Sequence, residues 1–127
     1  LAWLDLHNVM VGEATRLYAA GDGAPGATTD ASSPPRLLLL GDSMFELMRG
    51  SFYGCHTNEA AMTAAPALFS SSLHARFPRA LRFGISGDMT QHVLWRMASG
   101  ELTPSMRRDR GLVIVLHIGT NNLGMGH

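Results

Sequence analysis

Three short stretches hold the residues with chemistry to offer. Gly41-Asp42-Ser43 places a hydroxyl directly after four consecutive leucines, Leu37-Leu38-Leu39-Leu40. Gly84-Ile85-Ser86-Gly87-Asp88 places two glycines after a second apolar run, and Gly119-Thr120-Asn121-Asn122 places two carboxamides after a third. A serine becomes a nucleophile when a base activates it and donors accept the negative charge that develops on attack. A glycine N–H open to close approach and an asparagine amide are two such donors. Taken singly, each feature has a plainer reading: Ser43 as a helix N-cap, the glycines as turn residues, the asparagines as a strand terminator. Only their convergence would make a nucleophile beside an oxyanion hole, the layout that acyl transfer requires.

The elements that would position them follow from hydrophobic pattern. Four leucines in a row do not alternate, so residues 36–40 read as a strand buried on both faces, as in a parallel sheet under helices. Residues 45–49 read as the helix that follows, with Met44, Leu47 and Met48 on one face and Gly50 as its stop. Residues 80–84 read as a second strand, leading to a helix over 90–98 with Val93, Leu94 and Met97 inward and Gly100 ending it. Residues 112–116 are a third strand, apolar at every position, which His117 and Ile118 continue. Strands alternating with helices imply right-handed crossovers and a flavodoxin-like three-layer α/β/α arrangement on a parallel sheet. With the first strand between the second and third, Ser43, Gly87 and Asn121 fall on neighbouring C-terminal strand ends at the switch point. Upstream, Trp3, Leu6, Met10, Ala14 and Leu17 recur at helical spacing, with Asp5, Glu13 and Arg16 toward water. Residues 21–35, rich in Gly, Ala, Thr, Ser and Pro, read as a flexible loop. Residues 50–65 read as irregular, with Phe52, Tyr53, Cys55 and His56 near the mouth of the crevice, and 66–74 as a short helix with Leu68, Phe69 and Leu73 inward.

Composition narrows the function classes. The 127 residues are enough for one small domain, and 46% hydrophobic against 16% charged residues indicates a core-forming chain. The formal net charge is zero, which offers nothing to nucleic acid or to a membrane surface. No apolar run is long enough to span a bilayer. The single cysteine, Cys55, has no internal disulfide partner and fits a reducing, cytoplasmic compartment. Eight methionines sit mostly at helix-face positions and read as core filler. No spacing suggests a metal or cofactor.

The three motifs resemble those of the SGNH, or GDSL-type, hydrolase superfamily. The chain looks most like the catalytic alpha subunits of intracellular platelet-activating-factor acetylhydrolase. Trp3 with Leu6-His7-Asn8, Gly41-Asp42-Ser43-Met44 with Leu47-Met48, Phe83-Gly84-Ile85 through Gly87-Asp88 to His92-Val93-Leu94-Trp95-Arg96, and Gly100-Glu101-Leu102 with Gly119-Thr120-Asn121-Asn122 carry that likeness. It implies a serine esterase that removes a short acyl group, acetyl above all, from a lipid or other small ester through an acyl-enzyme. Ser43 would be the nucleophile, and the N–H groups of Ser43 and Gly87 and the Asn121 side chain the oxyanion hole, with Asp42 in support. It further implies no cofactor, and a homodimer or heterodimer of catalytic subunits. Ser86 stands where the acetylhydrolase has glycine, which implies a stiffer turn before Gly87.

One part of the superfamily's equipment has no counterpart in these residues. Its Asp-x-x-His, supplying the general base and the carboxylate that orients it, follows the asparagine motif at a distance. The chain is therefore expected to be the N-terminal portion of a single hydrolase domain, inactive or nearly so by itself, with an unpaired apolar edge on its third strand. The competing expectations are a carbohydrate acetyl-esterase on the same fold and a non-catalytic dimerisation or scaffold module.

Overall fold

The computed structural model describes residues 3–19, 36–56 and 60–126; the loop expected over 21–35 lies outside them. Helix α1 runs Trp3–Ala19, strand β1 Arg36–Gly41, helix α2 Ser43–Leu47 and helix α3 Ala60–Leu68 with a wide turn Phe69–Leu73 after it. Strand β2 is Leu81–Gly84, helix α4 Thr90–Arg96 with a wide turn Met97–Glu101, helix α5 Pro104–Arg108, strand β3 Leu112–His117 and helix α6 Thr120–Gly124. The three strands form a parallel sheet in the order β2-β1-β3. The α/β class, the parallel sheet and the central place of β1 are as the pattern predicts.

The leucine run explains why β1 is central. Successive side chains on a strand point to opposite faces, so Leu38 and Leu40 enter one core and Leu37 and Leu39 the other. On the first face they meet Leu6, Met10, Ala14 and Tyr18 of α1 together with Phe83, Ile85 and Val93. On the second they meet Phe45 and Phe69. Burying each leucine contributes about 1.5–3 kcal/mol relative to leaving it in water.

Four local expectations need correction. Residues 60–65 are helical, since α3 begins at Ala60 and carries Pro66 inside it; alanine's helix propensity outweighs the hydrogen bond that proline removes. Leu68 points to solvent and Phe69 is the buried residue. On α2 the buried pair is Phe45 and Glu46, with Met44 exposed. On α4, Leu94 is 68% exposed, and the inward position next to Val93 belongs to Arg96, fully buried. Beyond the elements read from sequence, the chain forms α5, capped by the Thr103 hydroxyl that accepts from Met106 N at 3.2 Å.

The outer edge of β3 has no strand beside it among the described residues. Val113, Ile114, Val115 and Leu116 are 43–57% exposed, so both faces of this apolar strand lie open.

Candidate active site

Ser43 is the first residue of α2, directly beyond the C-terminal end of β1. The cap of that helix is Asp42, not Ser43: its Oδ1 accepts from Met44 N at 3.2 Å, and its carbonyl accepts from Phe45 N and Glu46 N, both at 3.2 Å. The serine hydroxyl is thereby released from the capping duty that is its plainer reading. Asp42 is buried, and His117 Nδ1 approaches its Oδ1 at 3.6 Å from the adjoining strand.

Gly87 lies in the turn after β2 with φ +85°, a left-handed conformation that side chains other than glycine's rarely adopt. Its α-carbon faces the ring of Tyr53; a Cβ added there would meet Tyr53 Cε1 at 3.4 Å. Tyr53 itself has φ +49°. Asn121 stands in the first turn of α6, and its Nδ2 donates to the carbonyl of Asp88, next to Gly87, at 2.7 Å. Its neighbour Asn122 holds the same turn, with Oδ1 accepting from Thr90 N at 3.0 Å. An amide N–H₂ has two protons, so the bond to Asp88 leaves Asn121 one more to donate.

The three residues of the sequence motifs are thus brought to one end of the sheet. Gly41 pairs with Gly84 on one side and with His117 on the other, so all three chains leave their strands at the same level. Asn121 is bonded directly to the Gly87 turn. Ser43 joins that pair through strand register, with no hydrogen bond from its side chain among the described residues.

Two buried clamps hold this end together; the sequence offered Arg96 only as part of a family-like run, and Glu46 only as a helix residue. Glu46, fully buried, accepts from Ser86 N at 2.6 Å, Gly54 N at 2.7 Å and Ser51 Oγ at 3.0 Å. One carboxylate therefore ties the helix bearing Ser43 to the turn before Gly87 and to the loop bearing Tyr53. Burial pushes this carboxyl's pKa up, but the hydrogen bonds from Ser86, Gly54 and Ser51 outweigh it and hold the group below the ordinary glutamate range. The second clamp is Arg96. Its Nη1 donates to Asp88 Oδ2 at 2.6 Å and to the Gly41 carbonyl at 3.0 Å, and its Nε to Glu101 Oε1 at 2.8 Å. His7 Nδ1 meets the same Glu101 oxygen at 2.9 Å, and Trp3 Nε1 donates to Asp88 Oδ1 at 2.6 Å. Helical spacing marks Arg96 as inward, three residues beyond Val93, but its charge argues the other way.

Four of the described histidines have neighbours that account for them, and the fifth, His74, is exposed in the turn that follows Phe69–Leu73. His7 binds Glu101, His56 contacts the Gly50 carbonyl at 2.9 Å, His92 Nδ1 accepts from Met89 N at 3.0 Å, and His117 faces Asp42. Among the described residues no group of three His, Cys, Asp or Glu side chains is arranged to hold a metal ion. None of their helices is long and apolar enough to cross a membrane.

No known family profile matches the chain. Individual proteins do. It is 41% identical over 90 residues to the bovine "Platelet-activating factor acetylhydrolase IB subunit alpha1", covering 71% of this chain and 30% of that protein. The human alpha1 subunit matches equally, and the rat alpha2 subunit is 41% identical over 88 residues, covering 69% of this chain and 29% of that protein. The chain thus spans about 30% of the length of the curated relatives it matches. By sequence, it is a relative of the alpha subunits of platelet-activating factor acetylhydrolase IB.

Proposed function

We propose that this chain is the N-terminal portion of an SGNH-type serine hydrolase domain that cleaves a short acyl ester, acetyl above all, of a lipid or other small molecule. The observation that carries this reading is the hydrogen bond from Asn121 to Asp88, which fixes a carboxamide beside the Gly87 turn at the strand ends where Ser43 begins its helix. The names of the relatives supply the acetyl ester.

In this reading the Ser43 hydroxyl attacks the ester carbonyl carbon and gives its proton to a base. Charge develops on the carbonyl oxygen, where the N–H groups of Ser43 and Gly87 and the free N–H of Asn121 stabilise it. The tetrahedral intermediate collapses, the C–O bond to the leaving alcohol breaks, and the base returns the proton to that alcohol. Water, activated by the same base, then cleaves the acyl-enzyme. Asp42 supports by capping the helix on which the nucleophile sits. The base is a histidine paired with an aspartate, contributed by residues beyond His127. Those residues would also cover β3. Dimerisation with a like subunit and residence in the cytoplasm belong to the same proposal.

The test is labelling with a fluorophosphonate and turnover of p-nitrophenyl acetate by a protein extended past His127. Labelling at Ser43, lost in Ser43→Ala, together with turnover at least ~10³-fold above that of the 127-residue chain, is the expected result. An extended protein that hydrolyses no acetylated lipid, sugar or aryl ester would leave a scaffold module instead.

A further inference from the structure

The loop after α2 turns back on itself at a tip that carries an unexpected residue. Phe52 and Cys55 exchange two backbone hydrogen bonds, both at 3.0 Å, and the residues between them, Tyr53 and Gly54, have φ +49° and +73°. Positive φ at both central positions is the pattern of a type I′ hairpin turn, which asparagine followed by glycine adopts most readily. Tyrosine stands in the asparagine place, and it is the sole non-glycine residue with positive φ among the described residues. Its hydroxyl makes no hydrogen bond among them, so no local bond accounts for it. Backbone strain of this kind persists where surrounding structure enforces it, and it gathers at functional sites.

The enforcement comes from Glu46. Its Oε1 accepts from Gly54 N at 2.7 Å and from Ser51 Oγ at 3.0 Å, on either side of the tip, while its Oε2 accepts from Ser86 N at 2.6 Å. His56 Nδ1 meets the Gly50 carbonyl at 2.9 Å across the base of the loop. One buried carboxylate thus sets the spacing between the tip and the Gly87 turn, and the Tyr53 ring is held over the Gly87 α-carbon. On the outer side Tyr53 is 59% and Phe52 37% exposed, and their rings meet edge to face with centres 4.7 Å apart. The two rings make an apolar ledge that starts at a candidate oxyanion donor and continues into solvent.

Size decides which part of an ester lies there. A carbonyl held at Gly87 carries an acyl group on one side and an alcohol on the other. The acyl group of the proposed reaction is short and has no use for an open shelf of two rings; the alcohol is the larger part. We propose that the Phe52–Tyr53 ledge seats the apolar portion of the leaving alcohol, with Tyr53 as a specificity-determining residue, an inference that rests on the serine hydrolase reading.

The experiment compares methyl, butyl and hexyl acetate as substrates of the protein extended past His127, with fluorophosphonate labelling of Ser43 alongside. The parent is expected to favour the longer alcohols in kcat/KM. Tyr53→Asn makes the tip Asn-Gly, the sequence the turn prefers, so its circular dichroism spectrum is expected to match the parent's. In this variant the hexyl-to-methyl ratio of kcat/KM should fall about tenfold, the effect of withdrawing cover from ~60 Å² of alkyl chain, and the fall should lie in KM. Tyr53→Phe keeps the ring and should hold the ratio within about twofold of the parent. Leu68→Asn removes a comparably exposed apolar side chain at the end of α3 and should also leave the ratio within about twofold. A ratio unchanged in Tyr53→Asn, an equal loss on methyl and hexyl acetate, or the same fall in Leu68→Asn would overturn the ledge while leaving the hydrolase reading intact. No labelling at Ser43 and no turnover of any ester would overturn both.

Discussion

Replacing Arg96 by methionine tests whether the guanidinium behind the strand ends is structural cement. Methionine fills much of the arginine stem's volume, so the change removes charge and hydrogen bonds more than packing. It leaves Asp88 and Glu101, with side chains 1% and 0% exposed, without the guanidinium that both of them bind. It also strips one donor from the Gly41 carbonyl. Glu101 is poorly placed to absorb the loss, because its Oε2 is buried with no hydrogen-bond partner among the described residues. Removing one partner from a buried ion pair costs about 3–5 kcal/mol, a large share of the ~5–15 kcal/mol that holds a domain folded. With a urea slope near 2 kcal/mol per molar for a protein this size, the midpoint should fall by about 2 M. Urea titration followed by circular dichroism measures it. The double variant Arg96→Met/Glu101→Gln should recover part of the loss, because one orphaned charge is gone. A single variant whose midpoint stays within ~0.3 M of the parent would refute the reasoning.

Three further outcomes follow from geometry already described. Gly84→Ala would put a Cβ 2.3 Å from Glu46 N and 2.5 Å from the Asp42 carbonyl; both are backbone atoms, so α2 must lift from the sheet, and thermal melting should report a loss of at least ~1–3 kcal/mol. Glu46→Gln keeps the shape but turns an N–H₂ toward donors, leaving one of Ser86 N, Gly54 N or Ser51 Oγ unpaired at about 1–3 kcal/mol, read by denaturant titration. Asp109 pairs with Arg36 and accepts from Tyr18, and the Arg36 guanidinium, with the Tyr18 O–H and the Gly111 N–H helping against burial, lowers its pKa from 3.8 to about 2. The unfolded chain therefore takes up this proton first as pH falls: the stabilisation is whole above about pH 4 and disappears on the way down to about pH 2. Asp109→Asn should flatten that part of a stability-versus-pH curve, and an unchanged slope would count against the pairing.

What was legible in the sequence divides along physical lines. The leucine run and the uniformly apolar Leu112-Val113-Ile114-Val115-Leu116 announce a parallel sheet because burial on both faces removes any need for alternation. The α1 stripe from Leu6 through Met10 to Ala14 is equally plain, since three and four residue steps return to one face. Ser43, Gly87 and Asn121 could be picked out because each directly follows a strand, and parallel strands in one sheet end together. Arg96 and Glu46 were hidden because charge outvotes periodicity in any hydrophobic count. Their burial is explained only by partners up to 86 residues away, such as the Gly41 carbonyl and the Met10 sulfur that Arg96 binds. The α3 helix was hidden by Pro66, whose reputation as a breaker outweighed five alanines around it. Glu13, expected in water, instead sits against Arg49, and nothing local links residues that far apart.

The bare flank of β3 governs how this polypeptide will behave in a test tube. A strand with greasy side chains on both surfaces and, among the described residues, no strand along its outer edge is a template that takes whatever extended segment arrives first. At high dilution that segment has to come from the same molecule; as concentration rises, a second molecule competes for the place. Sedimentation and light scattering of this chain should therefore drift with time and protein concentration, and a short charged peptide designed to lie along Val113 and Val115 should arrest the drift.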